Sequence, residues 1–302
     1  MRYTTLIRST LVAVVLSLML PLVTSAQTLE GIESSGTFTI GFVPDQPPFA
    51  SKSETGQPTG YSIELCKKVA DSLKARLGLS GLKVKYTPAS IKSGLELVAK
   101  SQVDILCGAV TETLQRRQRV DFSIPIFTSG IGVLLREDAP YSLVQVLKGE
   151  VPHAGPRWRA TINRGLVNHV YAVHAGTTGE DWVRAQVASL GVIARVVTVD
   201  SHEQGVEMVL DGKADAYFAD RIILEAYAAR PDRNDELMVL DRQFTYEPLA
   251  LVTRQGDDDF RLAVDTVLSE LYRSDAFVGL YTLYFGEPGD TTRLLFKAYT
   301  LP

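Results

Sequence analysis

Several things are scarce in this chain of 302 residues. It holds two cysteines, four histidines, two tryptophans and four methionines. The histidines are scattered and no Cys/His group has metal-ligand spacing, so a metal centre is not expected. No cofactor is implied. Basic residues are not in excess: 31 Lys and Arg face 35 Asp and Glu, a formal net charge of −4. No basic stripe dominates, which argues against a nucleic-acid partner. Beyond the first two dozen residues there is no apolar run of membrane length. What remains is ordinary globular material, 45% hydrophobic and 22% charged, enough for one large domain or two lobes with a sizeable core.

The one long apolar run is N-terminal. Arg2 and Arg8 precede the apolar stretch Leu11 to Val23, and Thr24-Ser25-Ala26 supplies a small-residue cleavage site. This reads as a signal peptide over 1–26 and a periplasmic destination. Disulfides persist there. Cys66 falls on the apolar stripe of an expected helix and Cys107 on the face of an expected strand. They form either a bridge or two buried small hydrophobes.

Short apolar, β-branched runs alternate with segments of helical period. Strands are expected at Gly36–Val43, Leu82–Tyr86, Val103–Cys107, Ile131–Leu135, Val170–His174, Val196–Val199 and Pro248–Arg254. Helices are expected from Gly60 to about Leu77, at Gly94–Lys100, Glu180–Leu190 and Glu203–Asp211, then at Phe260–Tyr272 and Ser274–Phe285. Such alternation argues an α/β fold with parallel sheet. Asp138–His169 carries three prolines and the basic run Arg157-Trp158-Arg159, and reads as a loop insertion or a partner-docking surface. The tail after Glu287 should fold back through Leu294, Leu295 and Phe296.

Three stretches carry chemistry. In Ala109-Val110-Thr111-Glu112-Thr113-Leu114-Gln115-Arg116, Thr113 reads as the N-cap of a short helix and Arg116 as a carboxylate fork; the bland reading is a solvated amphipathic turn. In Ala175-Gly176-Thr177-Thr178, Gly176 permits close backbone approach, and Thr177 or Thr178 caps a helix whose amides face an anion. In Gly212 to Asp220, the aspartate ends an apolar strand, where it accepts an ammonium group or caps the helix beginning at Arg221.

These three stretches, in this order, resemble the signatures of the family 3 periplasmic solute-binding proteins that serve amino-acid ABC transporters. Pro44-Asp45-Gln46-Pro47-Pro48-Phe49 resembles the family's ligand loop, with Gln46 where an aromatic lid is usual and Phe49 at the second aromatic. The resemblance runs from about Thr28 to Gly286, the insertion excepted, and is nearest the glutamate/aspartate branch in Gly60-Tyr61-Ser62, Cys107-Gly108 and His202. The branch's extra arginine appears here as Val43.

The resemblance implies a two-lobed α/β fold of the type II periplasmic-binding-protein class, with two crossing strands as hinge. Lobe 1 would comprise 28–130 and 249–302, and lobe 2 residues 131–248, with the insertion at about 139–169. It implies ligand contacts from Gln46, Phe49, Ala109, Thr111, Arg116, Thr177, Thr178, His202 and Asp220. A polar loop histidine such as His202 is otherwise simply solvated. The implied function is capture of an amino acid, acidic or polar, by a monomer that delivers it to a membrane permease. Cyclohexadienyl dehydratases resemble the same fold and use a glutamate near Glu180 as general acid. That enzyme reading, and a partner role in a periplasmic redox system, are the alternatives.

Overall fold

The computed structural model describes residues 28–150, 164–233 and 235–302. The expected signal peptide and the run Arg157-Trp158-Arg159 lie outside these residues. Among the described residues no helix is long and apolar enough to cross a membrane.

The chain opens with α1 (Thr28–Ser35), β1 (Thr37–Phe42), a small antiparallel sheet of β2 (Asp45–Gln46), β3 (Ala50–Lys52) and β4 (Pro58–Thr59), then α2 (Tyr61–Arg76). It continues through β5 (Lys83–Pro88), α3 (Ile91–Ala99), β6 (Ile105–Cys107), β7 (Val120–Ser129), β8 (Ile131–Arg136) and α4 (Tyr141–Lys148). Next come β9 (Val170–His174), α5 (Thr178–Leu190), β10 (Arg195–Val199), α6 (His202–Leu210), β11 (Ala216–Asp220), α7 (Arg221–Ala228) and β12 (Leu237–Val239). It ends with β13 (Glu247–Arg254), α8 (Asp258–Arg273), α9 (Asp275–Phe285) and α10 (Asp290–Tyr299).

Two five-stranded sheets organise the fold, in the orders β5-β1-β6-β13-β7 and β10-β9-β11-β8-β12. Within each, the first three strands are parallel and the last two pair antiparallel. The chain leaves the first sheet at Gly130, between β7 and β8, and returns to it at β13. A Cβ on Gly130 would stand 1.7 Å from the carbonyl oxygen of Thr245, so the outgoing and returning segments touch there and only glycine fits. The C-terminal ends of the parallel strands β1, β6, β9 and β11 deliver the ligand-type motifs, as open α/β sheets require.

Alternation of apolar residues places Phe38, Ile40 and Phe42 in the core beneath α2, which buries Ile63, Cys66, Val69, Ala70 and Leu73 at helical spacing. Cys66 and Cys107 are bridged, with Cα atoms 6.7 Å apart, which ties α2 to β6. Phe49 does not face a ligand. It is fully buried in an aromatic cluster, its ring centroid 5.3 Å from Phe127 and 5.4 Å from Phe285. Each such pair adds about 0.5–1.5 kcal/mol beyond area burial, enough to pin α9 to the first sheet.

Three expectations need correction. The segment after Asp138 is not wholly loop: α4 buries Leu143, Val144 and Leu147, whose spacing gives one apolar helical face. The turn after Thr113 is not an α-helix but a single 3-10 turn over Arg116–Gln118. In the tail Phe296 packs inward, but Leu294 is exposed.

The bridge closes a sequence separation of 41 residues. Reducing it should cost about 3–4 kcal/mol through the freedom regained by the unfolded chain. Denaturant unfolding of oxidised, reduced and Cys66→Ala/Cys107→Ala protein should show this loss in the last two alike.

Candidate functional site

Arg116 sits at the mouth of a crevice between the two sheets. The hydroxyl of Thr113 accepts the Arg116 amide at 3.1 Å, which sets the turn. The guanidinium then folds back to donate to the Thr111 carbonyl at 2.7 Å and reaches across to the Gly176 carbonyl at 3.5 Å. Burial lowers its pKa, while Glu247, Asp220 and Asp181 hold it up. It remains a cation, because arginine does not lose its proton in proteins. By contrast Arg117 is a surface group paired with Glu112. The expected helix-end contribution is absent on this side, since a three-residue turn carries no appreciable dipole.

The opposing wall comes from the second sheet. Thr177 is the N-cap of α5: its hydroxyl accepts the Glu180 amide and donates to the His174 carbonyl, so it is committed to structure. The neighbouring Thr178 hydroxyl donates to Glu247 at 2.8 Å, and the Thr245 hydroxyl donates to the other oxygen at 2.8 Å. Asp220 stands at the start of α7 but its side chain caps nothing. Desolvation pushes its pKa up to about 7, helped by Glu247 and opposed by Ser129 and Arg116. A carboxylate with no capping duty, facing a guanidinium, is available to a ligand.

His202 is not solvated. It is the first residue of α6 and is 2% exposed. The Asp200 carbonyl can only accept, so His174 carries its proton on Nε2, at 3.2 Å. His174 Nδ1 then accepts from His202 Nε2 at 3.3 Å, and His202 Nδ1 accepts from the Tyr217 hydroxyl at 2.7 Å. Burial lowers both imidazole pKa values, and the mutual proximity of the rings lowers that of His202 further. At neutral pH this wall is therefore polar but uncharged.

Gln46 takes the place of a lid residue in an unexpected way. Its amide accepts the Ala109 N–H at 2.8 Å and donates to the Ala109 carbonyl at 3.3 Å, imitating a strand partner. Ala109 thus lines the crevice with both backbone groups already bonded to protein.

The structure brings Gln46, Ala109, Thr111, Arg116, Thr177, Thr178, His202 and Asp220 together, and leaves Phe49 out. Reading the sequence missed Glu247 and favoured His174 as a strand residue over a ligand contact. His174 ends a parallel strand, the position at which α/β crevices form, and that signal could have found it. Glu247 had a weaker one, a lone acid at the head of an apolar run at the point of return.

The space these residues leave admits the centre of a water molecule over only about 10 Å³. A ligand of amino-acid size therefore needs the sheets to part. A larger cavity of about 410 Å³ lies beneath α4 and α5, lined by Trp182, Phe218 and Phe244. Among the described residues its one charged lining group, Arg242, donates to the Leu147 carbonyl and stacks 4.9 Å from the Phe244 ring centre, so it offers a polar ligand little.

Comparison with known proteins bears on the family and the fold. The sequence model of the bacterial extracellular solute-binding proteins, family 3, matches residues 38–287. The L-glutamate/L-aspartate-binding protein of Pseudomonas aeruginosa is 29% identical, over 86% of this chain and 80% of its own. The L-cystine-binding protein TcyJ of Escherichia coli K12 is 25% identical, over 85% and 86%. A mutant of ArgBP from T. maritima superposes with a TM-score of 0.69 at 25% identity, covering 86% of this chain and 100% of that one. An ancestral amino-acid-binding protein, described as a precursor of cyclohexadienyl dehydratase, gives 0.69 at 26% identity with the same coverage. The chain belongs to family 3 of the bacterial extracellular solute-binding proteins, amino-acid-binding components of ABC transport.

Proposed function

We propose that this chain captures the zwitterionic head of an amino acid between two lobes, 28–130 with 249–302 and 131–248, and delivers it as a monomer from the periplasm to a membrane permease. The observation that carries this reading is the pairing of one guanidinium, Arg116, with the uncapped carboxylate of Asp220 across the crevice. The α-carboxylate sits on the Arg116 fork, displacing it from the carbonyls it now bonds. The α-ammonium sits on Asp220, with Glu247 behind it.

The zwitterion head uses up the charged groups of the lining: Arg116 is its cation and Asp220 its acid. The side chain then meets Gln46 and the neutral histidine pair. That wall favours a polar, uncharged side chain over an acidic one, because among the described residues no second cation lines the crevice and Val43 stands where an arginine would serve. The relatives named for glutamate, aspartate and cystine span both chemistries.

A dehydratase reading finds little support. Glu180 accepts the Gly176 amide at 2.9 Å and pairs with Arg184 at 3.0 Å. Desolvation raises its pKa, but these two partners outweigh it and the net shift is downward. A group held ionised is poorly placed to donate a proton as general acid. Incubation with prephenate should give no product absorbance.

Two measurements test the binding reading. A thermal-shift panel of the amino acids on refolded, ligand-freed protein should show a large rise for one or a few polar members, by mass action on the native state. Arg116→Ala should abolish that rise, since loss of a desolvated charge-assisted pair costs about 2–5 kcal/mol. A variant that binds as tightly as wild type would sink the assignment. The second measurement is pH dependence. The ligand's ammonium favours ionised Asp220, which in the free protein protonates below about 7. Binding then releases a proton below that pH, and affinity should fall about tenfold per unit as pH drops from 7. Asp220→Asn should bind weakly and flatten the profile.

A further inference from the structure

The side chain next to Gln46 does something different from its neighbour. β2 has two residues, and they face opposite ways. Gln46 clamps backward onto Ala109, on the first sheet. Asp45 reaches forward to the second. One oxygen of its carboxylate accepts the backbone N–H of His202, and the other accepts the Tyr227 hydroxyl. Both contacts are made to elements packed on the β9-β11-β8 side of the molecule, α6 and α7.

The receiving end is a built site. The His202 amide belongs to the first turn of α6, where N–H groups have no partner within the helix and a negative charge is favoured. Ser201 caps the Gln204 amide instead, so the two acceptors divide the turn between them. Tyr227 is 1% exposed, and its ring is covered by Arg230, whose guanidinium carbon lies 4.3 Å from the ring centre. Arg230 is in turn held by Glu203 at 2.6 Å, and Glu203 also binds Arg233. The hydroxyl is thereby aimed before Asp45 arrives.

The geometry points to Asp45 as a closure latch: a lobe-1 carboxylate that docks on the α6 N-terminus and the Tyr227 hydroxyl of lobe 2 and stabilises the closed state without touching the ligand. Asp45 is absent from the crevice lining, although Gln46 is part of it. The latch rests on the reading of the molecule as two lobes that part and close. Its effect is on the population of the closed form. Apparent affinity scales with that population, so every ligand gains by the same factor and the ranking of ligands is untouched. Asp45 is a positioning residue for binding rather than a ligand contact.

Asp45→Ala and the milder Tyr227→Phe test this. Small-angle scattering of the ligand-free proteins should show both variants more open than wild type, at unchanged circular dichroism. Affinity for each amino acid that shifts the wild type should drop by one common factor, about tenfold or more for Asp45→Ala, chiefly through faster dissociation. The double variant should be no weaker than Asp45→Ala alone, which independent structural damage would not give. Unchanged scattering in Asp45→Ala would overturn the latch. So would a changed ligand ranking, which would make Asp45 a specificity contact. The scattering needs no ligand, so it judges the latch even if no amino acid binds and the binding reading itself fails.

Discussion

Arg116 is the cation of the crevice lining, and the cost of keeping it there shapes its surroundings. Burial works against its charge, and three carboxylates, Glu247 at the head of β13 with Asp220 and Asp181 on the second-sheet side, offset that burial. Desolvation pushes the Asp220 pKa up to about 7, with Glu247 adding to the rise, and Glu247 itself accepts from two hydroxyl donors, Thr178 and Thr245. One guanidinium and one acid whose protonation changes near neutrality thus share the crevice lining. On the proposed reading, an amino-acid head carries both partners in one unit, and its two charges engage opposite walls only when the walls approach.

The walls can oppose each other because of the topology. Each sheet places its parallel strands with their C-terminal ends on the crevice, and each adds an antiparallel strand that continues the connection between them. The contact of Gly130 with Thr245 brings the two connections together. Thr245 also accepts the Ile131 amide and donates to Glu247. The point where the lobes join and the acid that balances Arg116 are therefore coupled through one hydroxyl. A change in hinge geometry is felt in the charge balance of the site.

Much of this was legible in the chain. Period-two and period-3.6 patterns located the parallel strands of both sheets and most of the longer helices, because one buried face dictates each pattern, but not the ten-residue β7. Arg116, Thr178 and Asp220 were legible because glycine, threonine and a strand-ending charge are constrained by backbone geometry as well as by ligand. What failed to show was whatever depends on side chains meeting across long sequence separations. Gln46 pairs with Ala109, Glu247 with Thr178, and Asp45 with Tyr227, and none of these pairs leaves a periodic trace. Phe49 could be read as a ligand contact or as packing under the loop, for a related reason. An aromatic in a ligand loop and an aromatic beneath it look alike until Phe127 and Phe285 are known to lie under the loop. The solvated alternative for His202 failed because its burial is imposed by Tyr217 and His174, not by its own neighbours in the chain.

The substitution at Gln46 ties these threads together. An aromatic lid at this position would cover the ligand from above and could adapt to several side chains. An amide that bonds both backbone groups of Ala109 cannot adapt; it fixes the loop to the first sheet. Fixing Gln46 fixes the direction of Asp45, because successive residues of a strand point to opposite sides. The same short strand thus closes one side of the ligand space and presents a carboxylate to the other lobe.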